Sequence, residues 1–349
     1  DPLMGVTDLK EKRLRMCSPD SLEKDPVRAL RSIRLALEYD LCMDEELISA
    51  LKTVIPLYPT CSMERYRDEL FKIIAVGKNA SSIQLLERFD FLQFFFPGSE
   101  ASDLQPLISR LRGLDHLIRI LTCGFDEEAS SNIISGTAVL ELGAFREQLI
   151  KHFDDSERLV HERRSLLVFT ALAGGYGFSA KTISKDGIRK RGKQVILSSD
   201  ELKLCGDSLS ACEALKKTDP SMPLADLEIH RFFLKFGESA IDGFLLYLAD
   251  VLLDLQNDPS DLSGWKKALI RTKSYFDAWF NRYQEVIKPV KLISGSELCA
   301  ALNIPAGPKV GALKKAITEA QVEKKISTTE EAVAFAKRAL AEIDGYINE

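Results

Sequence analysis

Lys24-Asp25-Pro26-Val27-Arg28-Ala29-Leu30-Arg31-Ser32-Ile33-Arg34 is the stretch on which the reading of this chain turns. At ~100° per residue, Ala29, Leu30, Ile33 and Leu37 share one narrow apolar stripe of the kind that packs into a core. Asp25, Arg28 and Arg31 fall on the flank away from that stripe. The flank offers one strong acceptor and several forked donors, a set suited to a base edge or a phosphate. Asp before Pro is also a plain helix opening, in which Asp caps free N–H groups and Pro fits the first helical position. Arginines three residues apart often do no more than solvate an exposed face.

Outward from this stretch, nearly every periodic segment is helical and strand-like alternation is scarce. The spacing predicts helices over residues 26–38, 44–54, 62–76 and 80–90, with Ser62 as the N-cap of the third and Glu64 in its first turn. The cluster Phe94-Phe95-Phe96-Pro97 reads as core, with Pro ending the element before it. Leu104, Leu107, Ile108 and Leu111 recur at helical spacing, as do Phe232, Phe233, Phe236 and Ile241. Residues 241–256 are apolar on most sides and predict a central buried helix. Surface loops are expected at residues 174–177, 218–220 and 257–260. A final helix opens with the capping-box pattern Thr328 to Glu331. The fold class that follows is all-α, an elongated multi-helix array.

Composition sets the bounds. The 349 residues suffice for two or more domains or one long helical array, and 45% hydrophobic with 28% charged content is ordinary for a globular protein. No run of ~18 apolar residues occurs, so no transmembrane helix and no membrane partner are expected. A formal net charge of -5 counts against a broad nucleic-acid surface but not against a local basic stripe. Residues 1–34 and 288–325 are each richer in Lys and Arg than in acids. The 7 cysteines are widely spaced, odd in number and without a Cys-x-x-Cys pair. That pattern fits reduced thiols in a cytoplasmic protein, with no zinc site and no disulfide framework.

The order of motifs adds a family. Asp1-Pro2, Gly5, Asp8-Leu9, Arg13 and Arg15 lead into the Asp25 segment, and Ser62-Met63-Glu64-Arg65 leads into Glu69-Leu70-Phe71-Lys72-Ile73-Ile74. Leu85-Leu86, Phe91-Leu92 and Phe96-Pro97 close that part. Near the end come Ser294-Gly295-Ser296-Glu297-Leu298, then Ile304-Pro305-Ala306-Gly307-Pro308-Lys309-Val310-Gly311, Glu319-Ala320-Gln321 and Ile326-Ser327-Thr328. This series resembles the class II nucleotidyltransferases, the bacterial CCA-adding tRNA nucleotidyltransferases and poly(A) polymerases. The match runs in order over residues 1–97 and 289–338, while the middle agrees only in length and helical character.

The resemblance implies a neck, body and tail whose catalytic head lies upstream. Residues 1–18 would be the last strand or loop of the α/β head, 19–100 the nucleobase-recognising, RNA-binding neck, 101–285 the body and 286–349 the RNA-binding tail. It also implies an enzyme adding C and/or A to the 3′ end of tRNA, with ATP and CTP as substrates. Mg²⁺ would be held by two aspartates of the head, leaving this part without catalytic residues and inactive alone. A poly(A) or A-only activity, or a non-catalytic RNA-binding scaffold, are the alternatives.

Nucleotide-binding residues on this reading are Asp25, Arg28, Arg31 and Arg65; Arg65 has the plainer alternative of an ion pair with Glu69. RNA-binding residues are Arg34, Lys190, Arg191 and the turn Gly307, Lys309 and Gly311, whose N–H groups sit at a helix start. The basic run Lys185–Lys193 could touch RNA backbone but reads more readily as a solvated face. Two departures stand out: Lys24 where the family has Glu, and Met4 where it has a hinge glycine. His116, His152, His161 and His230 include no His-Asp pair, so a phosphohydrolase metal site is not expected, and His152-Phe153-Asp154 reads as a surface helix.

Overall fold

The computed structural model describes residues 1–98, 103–123, 133–155, 157–177, 184–222, 224–257 and 262–347. Among the described residues the regular elements are helices, apart from one two-stranded pairing. They form two compact units: residues 1–219 with 239–269, and residues 220–238 with 270–349.

Within residues 1–18, expected as strand or loop, a short helix precedes a short strand. Residues Gly5–Lys10 form a helix, α1, capped by Met4 in the left-handed region at φ 60. Methionine therefore takes up a left-handed conformation that favours glycine, at a cost of roughly 1–2 kcal/mol. Strand β1 (Arg13–Leu14) pairs in parallel with β2 (Cys42–Met43). Between them lie α2 (Ser21–Lys24) and α3 (Val27–Tyr39), and after them α4 (Glu45–Thr53), opened by Asp44, whose carboxylate accepts from the Leu47 N–H at 2.8 Å. Next come α5 (Met63–Ala75), α6 (Asn79–Arg88) and α7 (Phe91–Phe95). Ser62 stands at the N-cap of α5, but its hydroxyl makes no capping bond.

The apolar stripe of α3 does what its spacing requires: Ala29, Leu30 and Ile33 are fully buried, and α3 packs on α5. Beneath α5 the rings of Tyr58, Tyr66, Phe91 and Phe94 knot together, Tyr58 stacking on Phe91 with centroids 4.3 Å apart. This fixes α5 against α7 and gives the helix pair a rigid floor.

The remaining helices of the unit are α8 (Gln105–Thr122), α9 (Ile133–Leu142), α10 (Arg146–Asp154), α11 (Arg163–Gly175), α12 (Lys185–Gln194), α13 (Ser199–Lys216) and α15 (Ser239–Asn257). Helix α15 is the expected central buried helix, packed on α13 and α8. Asp242 on α15 is buried and takes Arg163 at 2.8 Å and His152 at 3.2 Å. Burial pushes the Asp242 carboxyl up, but Arg163 and then His152 outweigh it and hold it below the usual range. His152 is thus a core residue and not part of a surface helix. Gly174 and Gly175 end α11 instead of forming a loop, and Asn257 ends α15, with 258–260 outside the described residues.

In the second unit, α14 (Asp226–Phe236) stacks Phe233 on Trp279 of α16 (Leu262–Phe280), centroids 4.7 Å apart. Ile241 lies beyond Gly237 on α15, so it does not continue the Phe232–Phe236 face. Helices α17 (Gly295–Leu302), α18 (Pro308–Val322) and α19 (Thr329–Ile347) share a core of Leu298, Val310, Leu313, Ile317 and Ala336. Both capping boxes close: Ser294 with Glu297, and Thr328 with Glu331.

Among the described residues of the first unit, two backbones come tightly together at Gly243 of α15. A Cβ there would sit 2.9 Å from the Ser208 carbonyl oxygen and 2.6 Å from the Ala211 methyl. Backbone cannot yield as a side chain can, so Gly243→Ala is expected to cost about 3 kcal/mol. Urea unfolding of the variant beside the parent measures it.

Candidate functional site

The site is built on two facing helices, α3 and α5. Asp25 sits before Pro26 at the head of α3, yet its carboxylate caps nothing in that helix. It turns across to α5, where Arg65 Nη2 donates to Oδ2 at 2.9 Å. Arg28 Nε lies 3.5 Å from the same oxygen, beyond good hydrogen-bond length. Oδ1 is buried and has no hydrogen-bond partner among the described residues. The Arg65 hydrogen bond, the largest influence, holds the Asp25 carboxyl below its usual range against the opposing effect of burial. The carboxylate is therefore charged and held from one side. Arg28, 49% exposed, keeps most of its donors for something else.

Arg31 does not join them. Its Nε and Nη2 point to Glu69 Oε1 on α5, each at 3.4 Å. Glu69 is only 3% exposed and takes two more cations: Arg34 Nε on Oε2 at 3.0 Å and Lys72 Nζ on Oε1 at 3.1 Å. Burial pushes its carboxyl up, and the hydrogen bonds from Arg34 and Lys72 more than reverse this. Arg34 also donates to Glu38 at 2.6 Å, so the expected RNA contact at Arg34 faces two acids. The expected Arg65–Glu69 pair is replaced by Arg65–Asp25.

Glu69, Lys72 and Tyr66 were not among the expected site residues. A signal was available for Glu69: it lies between Tyr66, Leu70 and Ile73 on the buried side of α5, where an acid needs partners. Tyr66 is fully buried with its hydroxyl unpartnered among the described residues, and burial, then the neighbouring Cys61 and Asp25, push that phenol up.

The remaining expected residues fall in three settings. Lys190 is exposed on α12. Arg191, one residue on, is interior: Nη1 donates to the Ala173 and Tyr176 carbonyl oxygens at 2.5 and 2.8 Å, and the guanidinium lies 5.2 Å from the Phe96 ring centre. It staples the end of α11 to α12 and cannot reach RNA. Gly307, Lys309 and Gly311 lie at the exposed start of α18, with extended backbone at Gly307. Among the described residues no three His, Cys, Asp or Glu side chains are grouped as ligands of a metal ion.

Known proteins resemble the chain throughout. The family described as the probable RNA and SrmB-binding site of polymerase A matches residues 40–102. The A-adding tRNA nucleotidyltransferase of Deinococcus radiodurans is 26% identical over 99% of this chain and 75% of its own length. The CC-adding tRNA nucleotidyltransferase of a Synechocystis is 22% identical over 97% of this chain and 69% of its own. Among solved structures, a CCA-adding enzyme in complex with ATP shares the fold with a TM-score of 0.60 at 19% identity, over 98% of this chain. The chain spans 65% of that protein's length. These similarities support the family of CCA- and A-adding tRNA nucleotidyltransferases.

Arg191→Met is expected to lower stability by about 3 kcal/mol by stranding two buried carbonyl groups. In the folded fraction, RNA affinity measured by fluorescence anisotropy is expected to stay that of the parent.

Proposed function

We propose that this chain selects the incoming nucleotide and positions tRNA for template-independent addition of C and/or A to the RNA 3′ end. The observation that carries the reading is Asp25: a charged carboxylate, not spent on helix capping, fixed by Arg65 beside the half-exposed Arg28. A carboxylate oxygen carries two lone pairs. Arg65 occupies one on Oδ2, which leaves one for an incoming N–H donor. Arg28 supplies donors beside it. An acceptor next to a donor matches the amino group and adjacent ring nitrogen of cytosine and adenine. Guanine and uracil present the reverse pattern and would leave polar groups unpaired, at about 1–3 kcal/mol each.

Arg31 is removed from the base-reading pair by Glu69, and Arg65 takes its place as the residue that orients Asp25. Lys24 pairs with Asp20, outside this arrangement. The resemblance to tRNA nucleotidyltransferases over 97–99% of this chain, tail included, favours tRNA over a general RNA end. The exposed turn at Gly307, Lys309 and Gly311 supplies a contact for its phosphates. ATP and CTP are the substrates on this reading. On this reading the transfer step and its Mg²⁺ would fall to the aspartates of a head domain, and none of that chemistry is assigned to residues 1–349.

Two outcomes follow. Arg28→Ala in the enzyme carrying this chain is expected to lower incorporation of both CTP and ATP by about tenfold to a hundredfold, with tRNA affinity nearly unchanged. Unaltered incorporation in single-turnover assays would remove Arg28 from the base contact. Gly311 has open space around it, so Gly311→Ala is expected to raise stability by about 0.5–1 kcal/mol. The same methyl is expected to weaken tRNA binding if the turn lies against the backbone; unchanged binding would free the turn of that role.

A further inference from the structure

The second carboxylate of the α3–α5 face points to a site of its own. The geometry points to a phosphate-binding subsite formed by Arg31 and Lys72, both seated on Glu69 Oε1 and both open to solvent on their outer sides. Glu69 is buried at 3%, whereas Arg31 and Lys72 are 46% and 57% exposed. The acid works from below as an anchor: it fixes where the two cations stand without covering them. Arg31 approaches at 3.4 Å, a long contact that leaves its remaining N–H groups unspent. Lys72 uses one donor of three at 3.1 Å. Arg34, by contrast, is consumed by Glu69 and Glu38.

The charges make the case for an anion. The ion pairs on the α3–α5 face join five cations, Arg28, Arg31, Arg34, Arg65 and Lys72, to three carboxylates, Asp25, Glu38 and Glu69. Two positive charges are left over within this set, although the chain as a whole carries -5. Glu69 lies about one helical turn beyond Arg65 on α5 (~6 Å of rise), so the two carboxylate centres stand side by side. One centre presents an acceptor–donor pair and the other presents solvent-facing cations. A fixed guanidinium beside an ammonium is a donor set for phosphate oxygens.

This subsite rests on the nucleotide-selecting reading for its place but not for its test. Its phosphate has two possible sources, the polyphosphate tail of a nucleoside triphosphate or a phosphodiester of the RNA end. The whole chain, as parent and as R31Q/K72Q, is titrated separately with inorganic tripolyphosphate and with a short single-stranded RNA over a range of salt. If RNA is the source, the slope of log K against log salt is expected to shrink by about 0.7 in the double variant, for the one phosphate no longer neutralised, with tripolyphosphate binding unchanged. If the triphosphate is the source, tripolyphosphate affinity is expected to fall at least about tenfold, with the RNA slope unchanged. Parent-like behaviour with both probes in a folded variant overturns the subsite. Should R31Q/K72Q fail to fold, Lys72→Gln, which leaves Arg31 and Arg34 on Glu69, supports the same comparison with a single cation removed. Preference for CTP and ATP over GTP and UTP is expected to survive in these variants, because Asp25, Arg28 and Arg65 are untouched. Loss of the phosphate effect with base preference intact therefore counts against this subsite alone.

Discussion

Two carboxylates held between α3 and α5 set the arrangement of everything around them. A buried ion pair is a weak source of stability, because desolvation of each charge offsets most of the attraction. Its geometric consequence is stronger. Once Glu69 is buried, removing a partner leaves an uncompensated charge, so Arg31, Arg34 and Lys72 are confined to narrow positions. Asp25 is confined in the same way by Arg65, one turn earlier on α5. Neither carboxylate is neutralised by protonation; both are held charged by their cationic partners. The result is a surface whose donors and acceptors are placed before any ligand arrives, which lowers the ordering cost of binding.

Much of the fold was legible because it depends on local period. The α3 stripe, the buried α15 and the Thr328–Glu331 capping box all follow from residues within a few positions of each other. The failures are of another kind. Arg191 looked like one more residue of a basic run, but the carbonyls that take it belong to Ala173 and Tyr176, 18 and 15 positions earlier. His152 looked like a surface residue until Asp242, ninety positions later, took it into the core. Gly174 and Gly175 carry a loop signature, but in the structure they end α11, and Gly175 lies where that helix passes close to Leu107. Each miss is a partner chosen across the fold, which spacing along one helix does not encode.

The candidate site shows the same division on a smaller scale. That Asp25, Arg28 and Arg31 share a flank was readable from ~100° per residue. Which acid each arginine would choose was not. Arg31 lies six residues after Asp25, and the structure gives it Glu69 from α5. Arg65 had Glu69 at i+4 on its own helix and takes Asp25. The exchange is explained by depth. Glu69 sits on the buried side of α5, between Leu70 and Ile73, where only side chains descending from α3 and the neighbouring Lys72 can reach it. Asp25 stands higher, at the mouth of α3, level with the first turn of α5 and hence with Arg65.

This exchange separates two tasks that a single cluster would confuse. A base edge is told apart by direction, by which atom donates and which accepts. A cation that roams near Asp25 would blur that pattern by offering donors to every base alike. A phosphate is told apart by charge alone, and it tolerates several geometries. Anchoring Arg31 and Lys72 to a buried acid one turn away keeps their field close to the base while withdrawing their N–H groups from its edge. Screening by salt then acts mainly on the exposed cations, and the hydrogen-bond pattern at Asp25 retains its discrimination. On that argument, the interior position of Glu69 is what allows affinity and selectivity to be set independently on one pair of helices.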